Sequence, residues 1–489
     1  MLRPLRRLRR SARPARAPLY VALAMVVVVA TACGSHLSRA ELAKANGALE
    51  LRAAGARGGL LGGSGDTGDQ ASADQLSAGG AGGSSGSGGG SAAASGGGAK
   101  TNTASAGGGS RQAGGGTAGT KGEIVLGSIG TSSGVLGAVS GPAPPAIKAW
   151  ASWTNAHGGL AGHPVRVILA DAGGDPGKAQ SIVRQFVEQD HVAPIFYDYM
   201  FTEKQAVLPY LEQKQVPLIG TIGGDTSGDH SPIDFNPLLG PDQGDAWSFI
   251  LGTHTIAPDK KKLASFYCRE ANTCSVQEQS FKKLLPWEGM QLVYEAQVSL
   301  AQPDYTSEVL QAKNAGADVI LTLVDSQSVI RIAQAAHRQN WNVQLAGTYN
   351  LAQNLILQGS KDLEGLILTQ RTASFQTSAK TQDYRDAMAQ YQPGAPTGDL
   401  GEGVFVVGKM LAKIAPQLPD KPGPADMLRA LYSLHGEKLD GLLPGITFNQ
   451  GDHVNVNLCM VPTVLHNGAF VAHDAAESFV CAPVWHPGT

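Results

Sequence analysis

Asn155-Ala156-His157-Gly158-Gly159-Leu160-Ala161-Gly162-His163-Pro164-Val165, followed by Asp171-Ala172-Gly173-Gly174-Asp175-Pro176-Gly177-Lys178-Ala179, decides how this chain folds. The segment before it, Pro142 to His157, spreads Ala146, Ile147, Ala149, Trp150 and Trp153 along a helix. Gly158-Gly159 ends that helix in a conformation only glycine takes cheaply. Gly162-His163-Pro164 turns the chain into a strand, Val165 to Ala170. Asp175-Pro176 then caps and starts the next helix, Asp175 to Gln189. These residues serve the fold, not a ligand.

The same rhythm extends in both directions. Glu123 to Gly130 reads as a buried strand, Ala193 to Tyr197 as another, Lys204 to Gln213 as a helix and Val216 to Gly220 as a strand. The alternation restarts at the strand Lys262 to Tyr267, with a helix from Val276 to Leu285. The strand Gln291 to Ala296, the helix Tyr305 to Ala315, the strand Ala317 to Leu323 and the helix Ser326 to Asn340 follow. Strand–helix alternation at this spacing means parallel sheets wrapped by helices, an α/β class. Two such series predict two Rossmann-like lobes, and parallel sheets bind ligands beyond their carboxyl ends. Two lobes facing each other that way enclose a cleft.

The N-terminal part is of another kind. Residues 1–18 are crowded with Arg and carry no acid, and about 12 apolar residues follow from Leu19 to Ala30. That run fits a signal-peptide core and is short for a membrane helix. It ends in Ala30-Thr31-Ala32-Cys33-Gly34, which is similar to a bacterial lipobox. On that reading 1–32 is removed and the Cys33 thiol receives a diacylglycerol that holds the protein on the outer face of the membrane. A plain secretory signal is the other reading. Much of the chain's Gly, 63 residues of 489, falls before residue 122, and 33–121 reads as a Gly/Ser-rich disordered tether. The remainder, about 370 residues, can bury a real core.

Composition narrows the function. A formal net charge of −2 gives no electrostatic support to nucleic-acid binding. Of five cysteines, Cys33 is taken by the lipobox. The other four, in an exported chain, suggest disulfides, most simply Cys268–Cys274 and Cys459–Cys481. Zinc is the rival, though neither pair has C-x-x-C spacing. No motif calls for a cofactor.

The quoted stretch, with Ser133-Gly134 before it, resembles the N-terminal lobe of type I periplasmic-binding proteins, nearest the leucine/isoleucine/valine-binding class of ABC importers. A strand, an S-G loop, a helix ending N-x-x-G-G-x-x-G, a strand and D-x-x-x-D-P-x-x-A occur in order. The resemblance spans about 122–470, looser after the first lobe at Val216-Pro217-Leu218-Ile219, Gly316-Ala317-Asp318-Val319-Ile320 and Gly365-Leu366-Ile367, the last a lobe crossover. It implies lobe one at 122–245 plus 370–445 and lobe two at 246–369 plus 446–489. It also implies hinge closure on a small molecule, and an ABC permease as partner on the extracytoplasmic face of the cell membrane. A tethered receptor signalling to a membrane partner is the alternative. A cell-wall adhesion or scaffolding protein with a degenerate cleft is a third.

The family's ligand loops fall on Thr131-Ser132-Ser133-Gly134 and on Tyr197 to Thr202 in lobe one. In lobe two they fall on Cys274-Ser275, Val324-Asp325-Ser326 and Thr348-Tyr349-Asn350. The candidate contacts are Ser132, Ser133, Tyr197, Tyr199, Met200, Thr202, Ser275, Asp325, Tyr349 and Asn350. Ser and Thr at helix starts either meet a ligand oxygen or cap the helix. Asp325 either pairs a cation or caps a helix. Amino-acid binders of the family place Tyr-Gly where Cys274-Ser275 stand, and an acid near Tyr349 or Asn350. Tyr199-Met200-Phe201 replaces a Ser-rich turn. The departures imply an aromatic, less charged pocket.

Two other motifs compete. Gly130-Thr131-Ser132-Ser133-Gly134 fits the G-x-S-x-G of a hydrolase elbow, with His453, His466 and His473 as candidate bases. Gly223-Gly224-Asp225-Thr226-Ser227-Gly228-Asp229-His230 hints at a metal or phosphate loop but lacks the Gly-Lys-Ser/Thr of a P-loop. A solvated turn explains it more simply.

Overall fold

The structure, a computed structural model, describes residues 120–222, 226–228, 230–238, 244–349, 351–450 and 459–481. The signal segment, Cys33, the tether, His453, Asn350 and Gly223 to Asp225 lie outside the described residues.

The first sheet is wholly parallel, in the order β2-β1-β3-β4-β5. Its strands are β1 (Ile124–Gly130), β2 (Val165–Asp171), β3 (Ile195–Asp198), β4 (Leu218–Thr221) and β5 (Asp234–Phe235). The motif glycines do the work expected of them. Gly158, Gly159 and Gly162 have φ of 91°, 76° and 89°. A Cβ on Gly159 would lie 2.2 Å from the His163 carbonyl oxygen. Asn155 supplies a reason the sequence did not reveal. Its side-chain amide donates to the Val165 carbonyl and its oxygen accepts from the Val165 amide, both at 2.8 Å. The end of the helix Ala143–Ala156 is thereby fixed to the start of β2. Asp175 accepts from the amides of Gly177 at 2.8 Å and Lys178 at 3.0 Å, capping Pro176–Glu188.

The second sheet runs β14-β13-β10-β9-β8-β6-β7, with β15 also paired to β13. Its parallel part is β6 (Lys262–Cys268), β7 (Gln291–Val298), β8 (Val319–Leu323), β9 (Gln344–Gly347) and β10 (Ile367–Gln370). The ribbon β11 (His435–Glu437) and β12 (Ile446–Thr447) stands apart. Beside β10 run the antiparallel strands β13 (Cys459–His466), β14 (Ala469–Ala472) and β15 (Val480–Cys481). Two disulfides join Cys268 to Cys274 and Cys459 to Cys481, the second across paired positions of β13 and β15. Zinc is thereby displaced as a reading of these cysteines.

The helix expected from Val276 begins at Asn272, because Ala271 at its N-cap offers no polar side chain to mark the start. The chain passes from the first sheet to the second after β5 and returns after β10. Gly365 and Leu366 lead into β10, directly after which the chain leaves the second sheet. Beyond residue 445, Phe448 still packs edge-on against Phe235 of the first sheet, with ring centroids 5.2 Å apart.

The helix Asp399–Ile414 packs along Ala143–Ala156 and over the first sheet. Its Gly408 lets the backbone close on Trp150, whose indole nitrogen would lie 1.9 Å from an added Cβ. Trp150 stacks on Phe196 with centroids 4.3 Å apart. Beside these rings the core turns polar around the buried Arg371.

Candidate ligand-binding cleft

The carboxyl ends of β1 and β3 carry the loops of lobe one, and those of β6, β8 and β9 carry the loops of lobe two. Glu203 organises the first set although it is fully buried. One oxygen accepts from the Thr131 hydroxyl at 2.7 Å and the Gly174 amide at 3.0 Å. The other accepts from the amides of Phe201 and Thr202, each at 3.0 Å. One carboxylate thus holds three loops in register, and it satisfies the Thr131 hydroxyl and the Phe201 amide, which would otherwise be buried unpaired. Next to it Lys204, also buried, reaches Asp198 at 3.2 Å and Asp234 at 3.1 Å.

Asp171, at the end of β2, accepts from the amides of Ser132 at 2.8 Å and Gly173 at 3.0 Å. Burial pushes its carboxyl up, but hydrogen bonds from the Ser133 side chain and those amides outweigh it and hold the group below its ordinary value.

In lobe two the Cys268–Cys274 disulfide ties the end of β6 to the following helix. Between the lobes lies a narrow cavity of about 40 Å³ that opens to solvent. Leu136, Val139 and Phe201 line it from lobe one. Lobe two contributes both disulfide cysteines, Ala271, Leu300, Leu323 and Val324, with Thr273, Gln277 and Thr348 as the polar members.

Part of the cavity wall falls within the loops named from the sequence, and part outside them, at Leu136, Val139, Ala271 and Leu300. Phe201 lines the cavity where Met200 and Thr202 were expected, Cys274 where Ser275 was, Val324 where Asp325 was, and Thr348 where Tyr349 was. Met200 is buried in the core among Ile129 and Val207. Thr202 is exposed, its hydroxyl donating to the Gly174 carbonyl at 3.2 Å. Asp325 caps Ser326–Arg338 by accepting from the Ser328 amide at 3.0 Å. Ser275 accepts from Gln297 at 3.3 Å. Ser132 and Ser133 are exposed on the rim beside Leu136.

The three tyrosines are buried. Tyr199 is buried, its hydroxyl donating to the Ala170 carbonyl at 3.2 Å, and burial raises its phenol pKa. Its ring fills the space beside Gly130, where an added Cβ would come within 2.3 Å. Tyr197 adopts a left-handed φ of 47°. Its hydroxyl donates to the Leu400 carbonyl at 2.7 Å and accepts from Arg371 at 3.2 Å. Burial pushes that phenol up to about 12, against the pull of Arg371. Tyr349 is buried with Phe249 at 5.4 Å on one side and the Arg371 guanidinium 4.5 Å from its ring centroid on another.

His466 meets Glu364 at 2.8 Å and Asn467 at 2.9 Å, and His473 pairs with Asp474 at 3.5 Å. Among the described residues no group of three or more His, Cys, Asp or Glu is placed to hold a metal ion. No helix among them is long and apolar enough to cross a membrane.

Two α/β lobes with a lined cavity between the carboxyl ends of their sheets define a bilobal receptor for small molecules. The model of the periplasmic binding protein family matches residues 123–469, and the chain belongs to that family. No curated protein matches it. Similar solved structures include a possible leucine/isoleucine/valine-binding protein from Rhodopirellula baltica SH 1, 14% identical, covering 73% of this chain and 97% of that one at a TM-score of 0.63. A branched-chain amino acid ABC transporter protein from Thermus thermophilus with bound valine is also 14% identical, covering 74% and 97% at 0.63. A fatty acid ABC transporter substrate-binding protein from Thermomonospora curvata is 19% identical, covering 73% and 93% at 0.59. At these identities the likeness is one of fold.

Proposed function

We propose that this chain is an extracytoplasmic solute-binding lipoprotein that captures a small molecule between its lobes, delivers it to an ABC importer and does no chemistry on it. The observation that carries the reading is the cavity itself, walled from both lobes by Phe201 and Leu136 on one side and Cys274 and Leu323 on the other. A ligand touching both walls binds the closed arrangement better than the open one and so shifts the population toward it. Lobe one comprises 122–245 and 370–445, extended by the β12 segment, and lobe two 246–369 and the strands from β13 onward. Cys33 anchors the chain, and the Gly/Ser-rich segment lets the lobes reach a permease.

Small-angle scattering of the full-length protein, titrated with a panel of amino acids, amides, aromatics, sugars and hydrocarbon acids, tests this. At least one compound is expected to raise the melting temperature and to shrink the radius of gyration. A panel that does neither would overturn the reading.

A further inference from the structure

Resting on the solute-binding reading, we propose that the solute's buried end is a hydrocarbon chain or ring bearing no ammonium group, so that free α-amino acids are not its ligands. Leu136, Val139 and Phe201 face Leu323, Val324 and the Cys268–Cys274 sulfurs across the cavity. Sulfur is polarisable and packs against hydrocarbon as an apolar surface does. Among the described residues, every residue lining the cavity is uncharged.

The nearby acids are committed elsewhere. Asp325, beside Val324, is 8% exposed and caps its own helix through the Ser328 amide. Glu203, two residues from Phe201, accepts from the Thr131 hydroxyl and from the amides of Gly174, Phe201 and Thr202. Asp171 accepts from the Ser132 and Gly173 amides at the rim. An ammonium brought against this wall loses its water and gains no carboxylate, which is costly. A hydrocarbon body loses nothing there and gains from leaving water. Val135, 47% exposed beside Leu136, extends the apolar surface to the mouth.

The test compares one chain length with three heads, octanamide, octanoate and octylammonium, alongside leucine. Calorimetry and scattering are run on the full-length protein. Octanamide and octanoate are expected to bind, and octylammonium and leucine to bind at least about tenfold more weakly. Val139 is half-buried on the short helix Gly137–Ser140 and packs against two core clusters, so the melting temperature of Val139→Asp is measured beside its binding. That substitution is expected to weaken octanamide and strengthen octylammonium, each about tenfold. Octylammonium or leucine binding as tightly as octanamide to the unsubstituted protein overturns the inference while leaving the solute-binding reading intact. Unchanged head-group preference in Val139→Asp overturns it in the same way. If no compound of any class binds or compacts the protein, both fall.

Discussion

Arg371 Nε donates to Asp399 Oδ1 at 2.6 Å, and each side chain is 1% exposed. Arg371 follows directly on β10 of the second sheet, whereas Asp399 opens the helix Asp399–Ile414 that covers the first. Its Nη1 donates to the carbonyls of Thr221 and Ile222, both at 3.3 Å, at the end of β4, and its Nη2 to the Tyr197 hydroxyl at 3.2 Å and the Asp399 carbonyl at 3.3 Å. The charge pair therefore lies where the chain passes from one lobe to the other. It closes the core there with hydrogen bonds where apolar packing would otherwise serve.

Breaking this pair leaves an uncompensated buried charge. Arg371→Met and Asp399→Leu are each expected to cost about 3–5 kcal/mol of stability. The double variant should cost less than the sum, because it leaves neither charge alone. Urea unfolding of the four proteins measures this. Strict additivity would show that the two residues act independently.

Glu203 is the second buried carboxylate on which the site depends. Glu203→Gln turns an amide NH₂ toward one of two sets of donors: the Phe201 and Thr202 amides, or the Thr131 hydroxyl and Gly174 amide. The expected cost is about 2–3 kcal/mol, with faster amide exchange at Phe201 and Thr202 and weaker ligand binding. Exchange rates unchanged at those amides would mean the loops are held by something else.

The elements that shape this site were legible in the sequence because their signals are local. Gly158-Gly159 and Asp175-Pro176 announce a helix end and a helix start, and the strand–helix rhythm supplies the rest. The loops at the strand ends were legible for the same reason. The residues within each loop were not, because a one-position shift decides whether a side chain points into the cavity or into the core. The left-handed φ of Tyr197 upsets simple alternation at the end of β3. Arg371, Asp399 and Glu203 carry no local sign of burial, since partners that bury them lie on distant segments. Leu136 and Val139 stood in a Gly-rich turn and carried no periodic signal long enough to be read.

The Cys268–Cys274 bridge closes a short loop and forms part of the cavity wall. Replacing both cysteines with serine is expected to cost about 2 kcal/mol by freeing the unfolded chain. It also places hydroxyls where sulfur met hydrocarbon, so the affinity for an apolar ligand should drop. Replacing Cys459 and Cys481, which close a longer loop, should cost about 3 kcal/mol and leave affinity unchanged. Paired melting and binding measurements on the two variants separate a wall effect from a general loosening. Equal losses of affinity in both would argue against the disulfide as a wall.

Glu278 lies on the inner side of the helix that carries Cys274 and Gln277, fully buried, with the Ser265 hydroxyl donating to it. Burial raises its pKa to about 7, opposed by the Ser265 hydrogen bond and Lys282 and assisted by Glu295. Tyr267 also faces this group from β6. A raised carboxyl binds its proton more tightly in the folded than in the unfolded chain. Its contribution to stability is therefore fully present below the unfolded value near 4.5 and is lost as pH rises through about 7. The loss over that window is expected to be about 2–3 kcal/mol, and Glu278→Gln, which fixes the neutral state, should flatten it. Urea unfolding between pH 5 and pH 8 reads the slope directly. If the wild-type and Glu278→Gln curves ran parallel over that range, Glu278 would not be the titrating group. Because the helix supports the disulfide wall, ionisation of Glu278 should also loosen the cavity, so ligand affinity is expected to fall over the same pH interval in the wild type and to stay level in the variant.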